Sequence, residues 1–333
     1  MNSFRTCCQV CQPAHNATSS LDAGNNGVYY EDHFNDLSYS CSLGTSDDNG
    51  IWLNQSDPAG TLMSCMVWIL ILYSSLTITL VVLASNLPVI HSVLYTILSS
   101  LALATHAKTS LTDPGSVPAA AVPTAAQRRQ YSKLSMCSKC QTFKPPRSHH
   151  CRICDRCISR MDHHCPWMNN CVGAGNFKHF VLFLMYTWLI SVYALLLLGT
   201  NYFFCSDETC MFPIVLTQLV RIMTVISIVA FLFTSSMLMN VVYGVMTGIG
   251  TIDRLSKKAD GTMGDSDDEC VPLADIFGLG PYYTWVLPLD PMFPDYDKVM
   301  GYSTPQRLLR EQMREGYESG SVVSRDDGSL VPV

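Results

Sequence analysis

The thirty-five residues from Cys137 to Cys171 concentrate side chains that bind metals or act as nucleophiles. They contain seven of the protein's fifteen cysteines and four of its nine histidines. Three pairs of thiols have the CxxC spacing that lets neighbouring sulfurs bind one tetrahedral ion. These pairs are Cys137/Cys140, Cys151/Cys154 and Cys154/Cys157. The interleaved imidazoles, in a basic loop, favour zinc over a disulfide-rich knot or a set of buried free thiols.

The number of donors exceeds what two zinc ions need. Two closed four-coordinate sites use eight protein ligands, whereas this segment offers eleven, seven Cys and four His. Three donors therefore remain after two structural sites are filled. A spare thiol beside a spare imidazole could act as a nucleophile, because the imidazole can accept the thiol's proton.

The string of six residues from Asp162 to Trp167, Asp-His-His-Cys-Pro-Trp, is more specific than the spacing alone. The motifs C-x2-C, K-P-P-R and H-H-C-x2-C-x2-C precede it, and N-N-C-V-G and Asn176 follow it. From Cys137 to about Phe180, without a gap, the chain resembles the cysteine-rich domain of the DHHC family of protein S-acyltransferases (palmitoyltransferases). The resemblance implies transfer of palmitoyl or a similar long-chain acyl group from acyl-CoA to cysteine thiols of target proteins.

The resemblance also implies a role for the individual residues. Cys165 would carry the acyl group, His163 would be its base, and Asp162 would orient that imidazole, as in a catalytic triad. Trp167 would touch the acyl chain near the thioester, although an interfacial aromatic anchor is the alternative. Two zinc ions would be structural. One ion would be held by Cys137, Cys140, His150 and Cys157, and the other by Cys151, Cys154, His164 and Cys171.

Three further motifs match the family less closely. Asp113-Pro114-Gly115 corresponds to its DPG motif, although Asp-Pro-Gly is also an ordinary turn signal. The residues from Gly250 to Asp253 lie where the family has Thr-Thr-x-Glu, and Thr251 is expected to hydrogen-bond to Asp162. Pro272 stands where an Asn is expected in a C-terminal motif.

Four long apolar segments flank the zinc-binding segment, and each approaches the length of about 20 residues that crosses a bilayer as a helix. They are about Leu62–Ala84, Pro88–His106, Phe180–Leu198 and Arg221–Val245. The second segment is the weakest, since it contains His91 and His106, and it is predicted to be the return arm of a hairpin. The predicted fold class is an α-helical integral membrane protein. It has four transmembrane helices, with a cytosolic two-zinc cysteine-rich domain between spans two and three.

The distribution of Lys and Arg predicts the orientation of these helices. Ten lie in residues 107–177, none in 199–220 and eight beyond Val245. The zinc-binding segment and the C-terminal region are therefore expected on the cytosolic side, and four spans return both termini to that side. Cys205 and Cys210 lie in the predicted lumenal loop, where a disulfide and two free thiols are equally compatible with the sequence.

These features divide the chain into five predicted regions. Residues 1–61 are expected to form a disordered cytosolic tail, because they are polar and lack a long apolar run. Residues 62–106 would form the first hairpin and 107–179 the cytosolic zinc-binding DHHC domain. Residues 180–245 would hold spans three and four with a short lumenal loop, and 246–333 the cytosolic C-terminal region.

The family resemblance implies the expected partners, and Cys165 is expected at the boundary between lipid and cytosol, where they could reach it. They are palmitoyl-CoA or a similar acyl-CoA, the lipid bilayer, and membrane-associated proteins with cytosolic cysteines. Basic side chains near the motif could bind the phosphates of CoA, or they could form a solvated or headgroup-facing basic surface. These are Arg147, Arg152, Arg156, Arg160 and Lys178. The expected location is the Golgi, the endoplasmic reticulum or the plasma membrane.

One alternative function is a non-catalytic or weakly active membrane-tethered zinc module that binds other proteins. It accounts for the metal ligands as well as the enzyme does, but it gives no reason for a spare Cys165 beside Asp-His-His. A nucleic-acid-binding finger is disfavoured, because the zinc-binding segment leads directly into a membrane helix.

Overall fold

The computed structural model of the protein describes residues 54, 56–130, 135–204, 213–259, 270–310, 322–324 and 330–332. Most of the predicted N-terminal tail, and both Cys205 and Cys210, lie outside the described residues. The chain divides into two compact units. Among the described residues, the membrane unit comprises those within 54–115 and 161–294, and the peripheral unit comprises those within 116–160 and 295–332.

The secondary structure is mostly helical, with short two-stranded sheets. The helices are, in chain order, α1 (Pro58–Ala84), α2 (Ile90–Leu111), α3 (Ala125–Gln130), α4 (Phe177–Phe204), α5 (Ile214–Thr247), α6 (Thr251–Ala259), α7 (Ala274–Phe277), α8 (Tyr282–Val286) and α9 (Tyr296–Met300). The strands are β1 (His149–Cys151), β2 (Arg156–Ile158), β3 (His163–Cys165), β4 (Asn170–Val172), β5 (Val322–Ser324) and β6 (Leu330–Pro332). They pair antiparallel as β1–β2, β3–β4 and β5–β6.

Four of the helices, α1, α2, α4 and α5, are long and apolar enough to cross a membrane. The cysteine-rich segment lies between the second and third of them, so the predicted arrangement of four membrane helices around a cysteine-rich domain is confirmed. Each helix is longer than the apolar run seen in the sequence, and two of the helix ends have recognisable caps. At the start of α1, the Asp57 side chain accepts the N–H of Gly60 at 2.9 Å. At the end of α5, Gly248 takes a left-handed conformation with φ 67°.

The core of the membrane unit lies where α1, α2 and α4 pack together, around fully buried side chains such as Ile78, Tyr95 and Leu198. The helix α5 is different, since large apolar side chains such as Val225 and Leu232 remain exposed along it. An apolar surface of this extent suits contact with lipid, which supplies the apolar surroundings that water cannot.

A buried polar cluster joins α2 and α4 to the segment that follows α8. The Lys108 ammonium contacts both Asp290 carboxylate oxygens at 2.7 and 2.9 Å, and His179 Nε2 lies 3.3 Å from the same carboxylate. Lys178 donates to the carbonyl oxygens of Thr284 and Leu289 at 2.7 and 2.8 Å and is 2% exposed. The expectation that Lys178 binds CoA phosphates is therefore wrong, because its ammonium is used inside the protein.

The C-terminal part of the membrane unit closes on itself around Gly278. The ring of Phe277 stacks on Trp285 at 5.5 Å, and the Trp285 indole donates to the Gly278 carbonyl at 3.1 Å. Gly278 has φ 79°, and a Cβ added there would lie 2.5 Å from the backbone nitrogen of Met292. Glycine is therefore required for this close approach. The region holds together although Pro272 replaces the Asn expected from the family.

The peripheral unit is built from two distant parts of the chain. Val122 and Ser303 pair as an isolated β-bridge, and the Gln127 side chain donates to the Gly301 carbonyl at 2.9 Å. The β1–β2 hairpin belongs to this unit, and Val117 donates to the carbonyl of Cys157 at 2.9 Å. The segment after span two and the segment before the C-terminus thus fold together.

Replacing Asp290 with Asn tests the buried cluster. The change leaves the Lys108 ammonium buried without its counter-charge, so we expect a loss of stability of about 3–5 kcal/mol. Thermal unfolding of the purified protein in detergent would measure it. Asp295→Asn is the matched control, because this exposed carboxylate caps α9 through the N–H of Lys298 and Asn caps equally well. Equal stability of the two variants would contradict the structural role of Asp290.

Candidate active site

The motif Asp-His-His-Cys forms the strand β3 and the residue before it. His163, His164 and Cys165 are consecutive in β3, and side chains alternate between the two faces of a strand. His164 therefore faces one side of the β3–β4 hairpin, while His163 and Cys165 share the other side. The turn that follows is tight, with a 3-10 helix at Pro166–Met168 and Asn169 at φ 50°.

The metal-binding face of β3 brings His164 next to Cys171. These residues are directly opposite each other in the antiparallel register, which places their side chains on the same face. The Nδ1 atom of His164 lies 3.5 Å from the Cys171 sulfur. The pair provides two ligands for one metal ion.

The β1–β2 hairpin uses the same arrangement. His150 is directly opposite Cys157, and His150 Nδ1 lies 3.3 Å from the sulfur of Cys140. The four residues Cys137, Cys140, His150 and Cys157 have ligand atoms that all lie within 4.8 Å of one another, so together they could hold a metal ion. The group lies entirely within the peripheral unit.

The chemistry of this group fits a bound cation. Burial raises the pKa of the Cys157 thiol, and the neighbouring sulfurs of Cys137 and Cys140 raise it further. Sulfurs this close repel one another as thiolates, and a divalent ion relieves that repulsion. Three thiols and one imidazole at tetrahedral spacing form a common ligand set for structural zinc.

The remaining ligands that the family resemblance implies form one pair in each unit, Cys151 with Cys154 and His164 with Cys171. Within the peripheral unit, the N–H of Cys154 donates to the Cys151 sulfur at 3.4 Å, a contact that pre-forms a CxxC pair. Within the membrane unit, the His164–Cys171 pair is the one already described. The group in the peripheral unit contains the four residues that the family resemblance implies for one ion.

Cys165 belongs to neither metal-binding group. It is buried, at 6% exposure, and it lies opposite Asn170 in the hairpin. Its sulfur forms a hydrogen bond with His163, whose Nδ1 atom lies 2.7 Å from Asp162 Oδ2. Because a carboxylate only accepts hydrogen bonds, Nδ1 carries a proton and Nε2 is left for the thiol. A sulfur, an imidazole and a carboxylate thus form a chain on the face opposite the metal ligands.

The surroundings of His163 stabilise its charged form. Burial lowers the pKa of His163, but the hydrogen bonds to Asp162 and to Cys165 outweigh burial and raise this pKa to about 9. Burial raises the pKa of Asp162, yet His163 and Thr251 outweigh it and the pKa is lowered. His163 can therefore accept a proton from a thiol, and Asp162 stabilises the imidazolium that results.

Thr251, at the start of α6, binds the second carboxylate oxygen of Asp162. Its backbone N–H donates to Asp162 Oδ1 at 2.8 Å, and its side chain also contacts the carboxylate. A Cβ added at Gly250 would lie 3.6 Å from the same oxygen, which is ordinary van der Waals contact. The Gly in place of the family's Thr therefore leaves the contact between Thr251 and Asp162 intact.

Trp167 is held through its backbone by His106 on α2. The Trp68 indole donates to His106 Nδ1 at 3.0 Å, so the other ring nitrogen carries the proton. His106 Nε2 then donates to the carbonyl oxygen of Trp167 at 2.9 Å. The Trp167 ring meets Phe233 of α5 edge-on at 6.4 Å. Two membrane helices thus fix the backbone at this position, and a third contacts its ring.

Two buried asparagines bind the catalytic loop, here residues 163–176, to the end of α2. Asn170 donates to the carbonyl oxygens of Thr109 and Thr112 at 3.0 and 2.9 Å. Asn176 donates to the carbonyl oxygens of Thr109 and Cys171 at 3.0 and 2.8 Å. Carbonyls in the last turn of a helix lack partners within the helix. The asparagines supply those partners, and this fixes the loop against span two.

The Asp-Pro-Gly motif after α2 packs against the same loop. Asp113 Oδ1 accepts the N–H of Gly115 at 2.9 Å, and Gly115 has φ 98°. The N–H of Gly175 donates to the Pro114 carbonyl at 3.1 Å. A Cβ added at Gly175 would lie 2.3 Å from the Asp113 carbonyl oxygen. The motif is therefore a turn, and it is also a tight contact with the catalytic loop.

Comparison with known proteins agrees with this geometry. The sequence profile described as DHHC palmitoyltransferase matches residues 130–258, which include the β1–β2 and β3–β4 hairpins and all but the last residue of α6. Relatives that are at least 30% identical also align over more than two thirds of their own length. The chain belongs to the DHHC palmitoyltransferase family.

Individual relatives extend the match beyond the profile. Palmitoyltransferase ZDHHC3 of Rattus norvegicus is 35% identical over 215 residues, covering 61% of this chain and 72% of the relative. Palmitoyltransferase ZDHHC7 of Mus musculus is 33% identical over 266 residues, covering 76% and 85%. Probable protein S-acyltransferase 13 of Arabidopsis thaliana is 58% identical over 72 residues, covering 21% and 24%.

Sequence analysis did not identify three residues that hold the site in place. Asp57 contacts His164, His106 holds Trp167, and Asn169 donates to the carbonyl oxygen of Asn54 at 3.0 Å. His106 gave a signal, since a histidine in an apolar span needs a polar partner. For Asp57, the sequence indicates only a helix cap, because Pro58 follows it. Nothing in the sequence indicates its contact with His164.

Replacing Gly175 with Ala tests the close contact with the Asp-Pro-Gly turn. The added methyl group would meet backbone atoms of Asp113 and Gly115, which cannot move as a side chain can. We expect a loss of about 1–3 kcal/mol, measured by thermal unfolding in detergent. Gly199→Ala is the matched control, because its Cβ would meet nothing within 4 Å inside α4. A Gly175→Ala variant as stable as the control would contradict the contact.

Proposed function

We propose that this protein transfers a long-chain acyl group, such as palmitoyl, from acyl-CoA to cysteine thiols of target proteins, through a thioester on Cys165. One observation supports the proposal above all others. Within the fully described segment 137–171, Cys165 is the one cysteine that neither metal-binding group includes. It is also the cysteine that contacts the imidazole of His163, which Asp162 orients.

In the first step, the sulfur of Cys165 attacks the carbonyl carbon of the acyl-CoA thioester. His163 Nε2 takes the thiol proton, and Asp162 stabilises the imidazolium that forms. The bond between the acyl carbon and the CoA sulfur then breaks. The proton from His163 passes to the CoA sulfur, and an acyl group remains on Cys165.

In the second step, the thiol of a target cysteine takes the place of Cys165. His163 accepts the proton of this thiol while the target sulfur attacks the acyl carbon. The Cys165–acyl bond breaks, and the same proton returns to the Cys165 sulfur. One thioester is exchanged for another in each step, so the reaction needs no ATP.

The proposal assigns two zinc ions to structural roles. Cys137, Cys140, His150 and Cys157 would hold one ion. Cys151, Cys154, His164 and Cys171 would hold the other. Bound zinc would supply a fixed tetrahedral linkage that stabilises the two hairpins, and the reacting atoms would come from the chain itself.

The orientation of the spans fits the reaction. We place the zinc-binding region and both termini on the cytosolic side, because Lys and Arg are concentrated there and absent from 199–220. The acyl chain would enter the bilayer, since each buried methylene contributes about 0.8 kcal/mol. Four basic side chains are proposed for the CoA phosphates. They are Arg147, Arg152, Arg156 and Arg160. The compartment would be the Golgi, the endoplasmic reticulum or the plasma membrane.

Cys165→Ser tests the acyl-enzyme directly. Wild-type protein incubated with palmitoyl-CoA should acquire a hydroxylamine-labile acyl group, and the variant should not. Zinc content should remain two ions per chain, because Cys165 is outside both ligand groups. Cys270→Ser, at an exposed free cysteine, is the matched control and should be acylated as the wild type is. A labile adduct that persists in Cys165→Ser would refute the assignment.

Asp162→Asn tests the orienting carboxylate. The amide can no longer stabilise a charged His163, so we expect CoA release in a single turnover to slow by about 10²–10⁴-fold. Zinc content, measured in the same preparation, should be unchanged. If the protein only binds partners through its zinc-binding region, neither the wild type nor Asp162→Asn should release CoA. That result would support the non-catalytic alternative.

A further inference from the structure

Asp57 contacts the ring of His164, the histidine of β3 that is proposed to bind zinc. Its two carboxylate oxygens have different partners. Oδ1 accepts the N–H of Gly60 at 2.9 Å and caps α1, while Oδ2 lies 3.1 Å from His164 Nε2. The side chains of Asp57 and His164 are only 12% and 8% exposed, so water competes little for this contact.

This contact determines which nitrogen of His164 is free to bind a metal. A carboxylate can only accept a hydrogen bond, so the proton of a neutral His164 must be on Nε2. The lone pair is then on Nδ1, the atom that lies 3.5 Å from the Cys171 sulfur. Metal-binding histidines commonly donate their second N–H to a carboxylate in this way.

We infer that Asp57 is a positioning residue for the zinc site of the catalytic loop, and that it fixes the tautomer and ring orientation of His164. The inference rests on the proposed zinc ligation by His164. If so, the start of α1 helps to hold the metal, although this helix is far in sequence from the cysteine-rich segment. Loss of such an outer carboxylate typically weakens metal binding by about 10–100-fold.

Gly60 lies close to the Asp57 carboxylate and has no room for a side chain. A Cβ added at Gly60 would lie 2.4 Å from Asp57 Oδ2 and 2.7 Å from Asn169 Oδ1. Asn169, in the turn after Cys165, donates to the Asn54 carbonyl at 3.0 Å and to the Thr61 hydroxyl at 3.1 Å. The start of α1 is therefore held against the turn that follows β3, with Gly60 at the closest approach.

The other zinc-binding histidine provides an internal comparison. His150 also has a carboxylate at its second nitrogen, since Asp155 lies 3.4 Å from His150 Nε2. The Asp155 side chain is 74% exposed, so water can replace it. The two carboxylates occupy equivalent positions but differ in burial, which makes Asp155 a matched control for Asp57.

The decisive experiment measures zinc release from the purified full chain in detergent to a chromogenic chelator. In Asp57→Asn, the side-chain oxygen can still cap α1. The amide N–H groups then face the N–H of His164, and two donors cannot form a hydrogen bond. We expect one of the two ions to be released about 10–100-fold faster than in the wild type. Asp57→Ser retains a capping oxygen without the carboxylate and should give the same acceleration. Asp155→Asn should release both ions at close to the wild-type rate.

The outcomes separate the inference from the proposed zinc ligation. Wild-type release kinetics in both Asp57→Asn and Asp57→Ser, with two ions bound, would overturn the inference and leave the ligation standing. Equal acceleration of both ions would also overturn it, because that result indicates general loss of stability. A wild-type chain that holds fewer than two zinc ions would instead refute the ligation on which the inference rests.

Discussion

Side chains of neighbouring residues in a β-strand point to opposite faces, and the candidate site depends on this alternation. In β3 it directs His164 toward the metal ligands and leaves His163 and Cys165 together on the other face. A helix would not separate three consecutive side chains in this way. The hairpin partner completes the separation, because Cys171 lies directly opposite His164 and so is on the metal-binding face. Strand geometry thus keeps the Cys165 side chain off the metal-binding face.

The same alternation explains the mixed order of the metal ligands. In β1, His150 faces Cys157 across the hairpin, while Cys151 is on the opposite face of the strand. Adjacent residues can therefore serve different ions. Each hairpin is only three residue pairs long, and such a hairpin has little stability of its own. Metal binding can supply the missing stability, since structural zinc contributes about 10–16 kcal/mol in small zinc-binding peptides.

Much of this architecture could be predicted from the sequence, because its signals are local. Four apolar runs predicted four helices. The spacing of Cys and His predicted zinc binding, and the family resemblance implied which residues form each ligand group. Contacts between distant parts of the chain gave no such signal. Nothing near Asp57 points to His164, and Lys178 looks like any basic residue beside a membrane until its contacts with Thr284 and Leu289 are known. Helix ends were also missed, since caps such as Asp57 extend helices beyond their apolar core.

The two asparagines that bind the end of α2 couple the depth of Cys165 to the thickness of the membrane. Asn170 and Asn176 bind the last carbonyls of that helix, so the loop carrying Cys165 moves with the helix end. Helices adapt to hydrocarbon thickness by tilting, and thickness differs by several Å between the endoplasmic reticulum and the plasma membrane. The height of the sulfur above the lipid midplane is thus coupled to bilayer thickness. A change in thickness would therefore shift Cys165 relative to the lipid headgroups.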